Sequence, residues 1–61
     1  MRNNTVLGLL ADAANAIELG RLALAHRLVS LAERIATADR AIPVRRVECI
    51  RTARLALAIA L

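Results

Sequence analysis

Three properties of the 61-residue sequence predict an all-α fold. Apolar residues recur at three- and four-residue spacing in three successive stretches, no stretch alternates for long with period two, and Phe, Tyr and Trp are absent. The aromatic and turn signals of a hairpin strand are therefore missing. The expected architecture is an antiparallel helical hairpin plus a third C-terminal helix, in one small domain over residues 1–61 with helices at about 5–19, 21–39 and 43–60. Oligomerisation is expected to complete it.

Residues 1–4 read as a disordered lead, with Asn3, Asn4 or Thr5 available to cap the first helix by accepting from its free N–H groups. That helix carries Leu7, Leu10, Ala14 and Ile17 as its apolar seam, and Thr5, Gly8, Asp12, Asn15 and Glu18 on another face. Gly8 either weakens its first turn by ~1 kcal/mol relative to alanine or admits a close neighbour. The second helix has two seams. One is Leu24, Leu28, Leu31 and Ile35, expected as the hairpin core; beside it run Leu22, Ala25, Val29, Ala32 and Ala36. His26, Ser30, Glu33, Thr37 and Arg40 form its outer stripe. Ile42 precedes Pro43, which forces a break, and proline then suits the start of a new helix. The third helix presents Val47, Ile50, Ala53, Leu57 and Leu61 on one side, with Arg54 at its edge, and is apolar all round over residues 55–61.

Gly20, between the first two periodic runs, decides between a continuous rod and a hairpin. A rod would tolerate a glycine at ~1 kcal/mol, so propensity leaves the choice open. Burial favours the hairpin, because folding back covers one seam of residues 22–36 with Leu7, Leu10, Ala14 and Ile17. Glycine also readily takes the left-handed conformation that stops a helix.

Residues 9–37 resemble a single tetratricopeptide-type helix pair: Leu9 opens the first helix, Gly20 marks the turn, and Leu22, Ala25, Val29 and Ala32 line the second. Ala13 departs from the usual glycine, Ala16 from the usual aromatic and Thr37 from a frequent closing proline. The resemblance implies a protein-binding scaffold. Arrays of such pairs generally need ~3 repeats to bury a continuous core, so one pair plus one helix must be closed by the third helix or by a second chain.

Composition points the same way. Apolar residues make up 59% of the chain, against the ~45–50% usual even with glycine included, and a chain this short has little interior in which to hide them. Surface alanines absorb part of the excess; association absorbs the rest.

All nine cations are arginines. Residues 1–39 are formally neutral, and the whole net charge of +4 comes from Arg40, Arg45, Arg46, Arg51 and Arg54 against Glu48 alone. These five are the candidate anion or nucleic-acid contacts. Against that role they are scattered around the helix, Glu48 is spaced to pair with Arg45 or Arg51, and no aromatic side chain offers base stacking.

Single His26 and Cys49 residues give no metal site of ordinary ligand count from His and Cys, no intrachain disulfide and no oriented nucleophile pair. Catalytic and cofactor-binding residues are thus expected to be absent, and the chain is expected not to be an enzyme. A lone thiol suits a reducing cytoplasm. Arg2, the apolar run at 6–11 and Ala14-Asn15-Ala16 imitate a secretory leader, but Asp12 cuts the run short. No apolar run reaches the ~18 residues of a membrane span.

The sequence therefore predicts a cytoplasmic protein–protein interaction module: a helical adaptor, chaperone-like escort or inhibitor, acting as a homodimer or on another protein. Leu55, Leu57, Ile59 and Leu61 are its expected interface. The alternative is a small basic regulator binding DNA or RNA through the third helix.

Overall fold

The computed structural model describes the backbone of residues 2–61 and the side chains of residues 5–61. It is all-α, with α1 at Arg2–Glu18, α2 at Leu22–Ala38 and α3 at Val44–Ala60. Each helix has 17 residues and is therefore ~25 Å long. Thr5 lies inside α1 and does not cap it. Met1 and the candidate capping side chains of Asn3 and Asn4 lie outside the described residues.

The chain turns at Gly20, which has φ 75°. Gly20 N–H donates to the Ile17 carbonyl at 3.0 Å and Arg21 N–H donates to the Ala16 carbonyl at 2.8 Å. These two bonds satisfy carbonyls that the helix end leaves open, and they require a left-handed residue at position 20. Space around Gly20 is open, so a Cβ would meet no neighbour and only the backbone preference is at stake. Gly20→Ala is expected to destabilise by about 1–2 kcal/mol. In a domain of this size that lowers Tm by roughly 4–8 °C per kcal/mol, measurable by thermal circular dichroism; an unchanged Tm would mean that the turn does not depend on Gly20. Gly8 also has nothing within 4 Å of an added Cβ, so it serves no close helix approach.

The second turn is tied by Asp39. Its Oδ1 accepts from Ala41 N–H at 3.0 Å and its carbonyl accepts from Ile42 N–H at 3.1 Å. Ile42 is thereby folded inward and is only 5% exposed. Pro43 is the N-cap of α3, with an extended backbone, and its carbonyl accepts from Arg46 and Val47 N–H.

Helix α2 lies between the other two. Thr5 of α1 lines a surface cleft with Ile35 and Ala38 of α2, and Ile17 lies near the Gly20 turn, so α1 and α2 are antiparallel. Glu33 reaches Arg51 and Arg54, which sets α3 against α2 in the same sense. The backbones of α1 and α3 stay apart: among the described residues, no Cα of one comes within 8 Å of a Cα of the other.

This arrangement corrects the expected hairpin core. Buried on α2 are Ala25, Val29, Ala32 and Ala36, whereas Leu24 and Leu31 are 36% and 45% exposed and Leu28 and Ile35 are half-buried. The enclosed stripe is the one that faces two neighbours, and alanine there lets the helices approach closely. The bulkier seam is rotated away to one edge. On α1 the buried stripe is Val6, Ala13 and Ala16, with Leu9 and Leu10 partly covered. The expected Leu7–Leu10–Ala14–Ile17 seam sits further round the helix, and Leu7 and Ile17 remain about half exposed. On α3, Ile50 and Leu57 are buried, Val47 is half-buried, and Ala53 and Leu61 are exposed. The result is a slab 32 × 20 × 13 Å, too thin to enclose a core on both broad faces.

Candidate functional site

Because α1 and α3 flank α2 without meeting, a groove of about 360 Å³ runs between them. Leu10, Ala14 and Ile17 form one wall, Ala53, Ala56 and Leu57 form the other, and Val29 of α2 with Ala13 lies between. Among the described residues, no charged side chain lines it. The α1 wall is the seam expected to pack on α2: its period was legible, but its partner was not.

Of the expected interface residues, Ile59 is 87% exposed, Leu61 63% and Leu55 49%, while Leu57 at 8% is taken up within the chain. The four do not form one patch, because Leu57 points toward α2 and the groove while Leu55 and Ile59 share the outer side of α3.

The five expected anion contacts are also divided. Arg40 lies in the α2–α3 turn and is exposed. Arg45 and Arg46 open α3, where they line a depression with Pro43 and Cys49. Arg51 and Arg54 turn to α2: Arg51 Nε donates to Glu33 Oε2 at 3.2 Å and Arg54 Nε donates to Glu33 Oε1. The carboxylate partner of Arg51 is thus Glu33, 18 residues away, rather than its near neighbour Glu48. Arg34 joins Arg51 and Arg54 around a polar cleft with Ser30 and Thr37. Sequence balance had hidden Arg34 in the neutral part of the chain; it directly follows Glu33 in α2, and it comes beside Arg51 and Arg54 only because α3 docks there.

The Glu33 side chain is 14% exposed. Its desolvation between α2 and α3 raises its pKa, but the hydrogen bonds from Arg54 and Arg51, and then their charges, outweigh this and hold it below its ordinary 4.5. A carboxylate with a depressed folded-state pKa stabilises the fold above its ordinary value, and that contribution is lost as pH falls through the folded value. Wild type is therefore expected to melt higher than Glu33→Gln at neutral pH, with the gap closing on acidification below about 4.5. Parallel melting curves across that range would show that the clamp carries no stability.

His26 is near the start of α2 and Cys49 near the start of α3. Since these helices are antiparallel, the two side chains are set toward opposite ends of the pair. Cys49 is an exposed free thiol. Among the described residues no three of His, Cys, Asp and Glu are grouped to hold a metal, and no helix is long and apolar enough to cross a membrane.

Comparison with protein-family models, with curated proteins and with solved structures finds no match for this chain.

Proposed function

We propose that the chain is a non-enzymatic protein–protein interaction module, a small helical adaptor, escort or inhibitor that works through an apolar helical face. The observation that carries this reading is the uncharged groove between α1 and α3, whose shape suits an apolar helix or ridge. Exposure supports it. A 6.6 kDa monomer is expected to expose about 3,900 Å², whereas this chain exposes 4376 Å² with Leu7, Ile17, Leu55 and Ile59 among its open residues. The resemblance of residues 9–37 to a tetratricopeptide-type pair belongs to the same class of activity. The alternative nucleic-acid reading is weaker, because two of its five arginines are engaged with Glu33.

The test is a double variant, Ala14→Glu with Ala56→Glu. Both positions are exposed on the groove walls, so the helices can keep their fold while the groove gains unpaired carboxylates. Helical circular dichroism is expected to be unchanged. Protein that co-purifies with wild type, whether self or foreign, is expected to be lost; undiminished co-purification would sink the proposal.

A further inference from the structure

We infer that the polar cleft between α2 and α3 binds a compact phosphate-class oxyanion, free phosphate or the phosphate of a small ester, through Arg34, Arg51 and Arg54. The cleft shares no lining residue with the apolar groove, so this inference goes beyond the interaction reading.

Helical spacing assembles the donors. On α2, Ser30, Arg34 and Thr37 recur at four- and three-residue intervals and lie along one stripe. On α3, Arg51 and Arg54 stand three residues apart and line the cleft from the other side.

Glu33 decides how the two α3 arginines are presented. A carboxylate that met one arginine fork to fork would occupy its Nε and a terminal nitrogen together. Glu33 instead takes Nε alone from each, Arg51 on Oε2 and Arg54 on Oε1. Each guanidinium is thus anchored at its inner nitrogen, while among the described residues its terminal amino groups have no partner. The side chains of Arg34, Ser30 and Thr37 likewise make no hydrogen bond or ion pair among the described residues. The cleft therefore gathers three guanidinium groups and two hydroxyls with donors to spare.

Charge selects the ligand. The pKa of Glu33 lies below its ordinary 4.5, so it is ionised at neutral pH, and three arginines against one carboxylate leave the cleft at +2. A phosphomonoester carries about −1.5 to −2 at pH 7 and offers three strong acceptor oxygens. A carboxylate brings a single charge and fewer oxygens, and would leave one arginine unmatched. Among the described residues Ala38 is the sole apolar one lining the cleft, and the chain has no aromatic side chain on which a base could stack. Recognition is therefore by the anion itself. The three arginines gather around one carboxylate instead of running along a helix, which suits a compact anion and not a long polyanion. At about 550 Å³ the open cleft has room for a small group attached to the phosphate. Because Arg34 belongs to α2 and Arg51 and Arg54 to α3, a bound anion spans the two helices and favours their docked state.

The test is an amide NMR titration of the full chain at neutral pH and constant ionic strength, with inorganic phosphate, glycerol phosphate and acetate as separate probes. Saturable shifts centred on residues 30–38 and 51–54 are expected with phosphate or its ester and not with acetate. Tighter binding of glycerol phosphate assigns the site to an ester; tighter or equal binding of inorganic phosphate assigns it to the free ion. Arg34→Gln replaces an exposed side chain and should leave helical circular dichroism unchanged while weakening phosphate binding roughly tenfold, as for a lost charge-assisted hydrogen bond. Phosphate is also expected to raise the Tm of wild type more than that of Arg34→Gln; an equal rise in both would be the general effect of an excluded salt and would count against the site. Absence of saturable shifts, equal binding of acetate, shifts centred instead on Arg45, Arg46 and Cys49, or unchanged affinity in Arg34→Gln overturns the inference.

Discussion

Leu57→Asp is expected to detach α3 and unfold the chain. Leu57 is 8% exposed, and an aspartate there would be desolvated beside Val29 and Ala53 with no cation available in the groove. Removing the apolar side chain alone costs about 2–5 kcal/mol. A single core in a domain this small rarely supplies more than ~3–5 kcal/mol in total. Helical circular dichroism at 25 °C should therefore collapse. Ile59→Asp, two residues further on at 87% exposure, should leave it within about 0.5 kcal/mol of wild type. Equal stability of the two variants would contradict the placement of α3. The same contrast makes Leu57 a poor probe of association, since its loss removes the fold before it removes an interface.

Ala32→Leu should have the next largest effect. Ala32 is 0% exposed in the middle of the stripe where α2 meets its neighbours, and Ala25 has the same exposure two turns earlier. Three added carbons have no space to enter without separating the helices, which costs about 1–3 kcal/mol and occasionally more. Denaturant melts should show the loss in midpoint, whereas Leu31→Ala, at a position 45% exposed, should change it far less. If enlarging Ala32 proved harmless and trimming Leu31 damaging, the bulky seam would after all be the core.

The three helices, their breaks at Gly20 and Pro43 and their hairpin connection could be read from apolar spacing and two backbone-restricted residues. The stripe on each helix that would be enclosed could not. Periodicity gives the angular positions of side chains but carries no information on how many neighbours a helix has, and α2, with two, encloses its alanine stripe rather than its leucine stripe. Size was the misleading cue at Leu24 and Leu31. Alanine permits the closest approach of backbones, so it can occupy the best-packed line. Ile42 was legible only as a residue before a break; its burial depends on the Asp39 turn, a local bond that composition does not reveal. On the surface, the Leu10–Ala14–Ile17 wall was readable as an apolar line, but its role as one side of a groove requires α3 to stand opposite. The Glu33 pairs lie beyond any helical-neighbour rule, because they span a connection between two helices.

The absence of α1–α3 backbone contact also bears on how the chain acquires its shape. Among the described residues, the close backbone approaches are all between helices adjacent in sequence, so no long loop must close before the first stabilising contacts form, and the entropic barrier to folding is correspondingly low. Stability is then set by two neighbouring interfaces in series, with α2 common to both. Undocking of either outer helix bares part of the α2 alanine stripe and leaves a single two-helix interface, too little core to hold the remaining pair, so loss at one side is felt at the other.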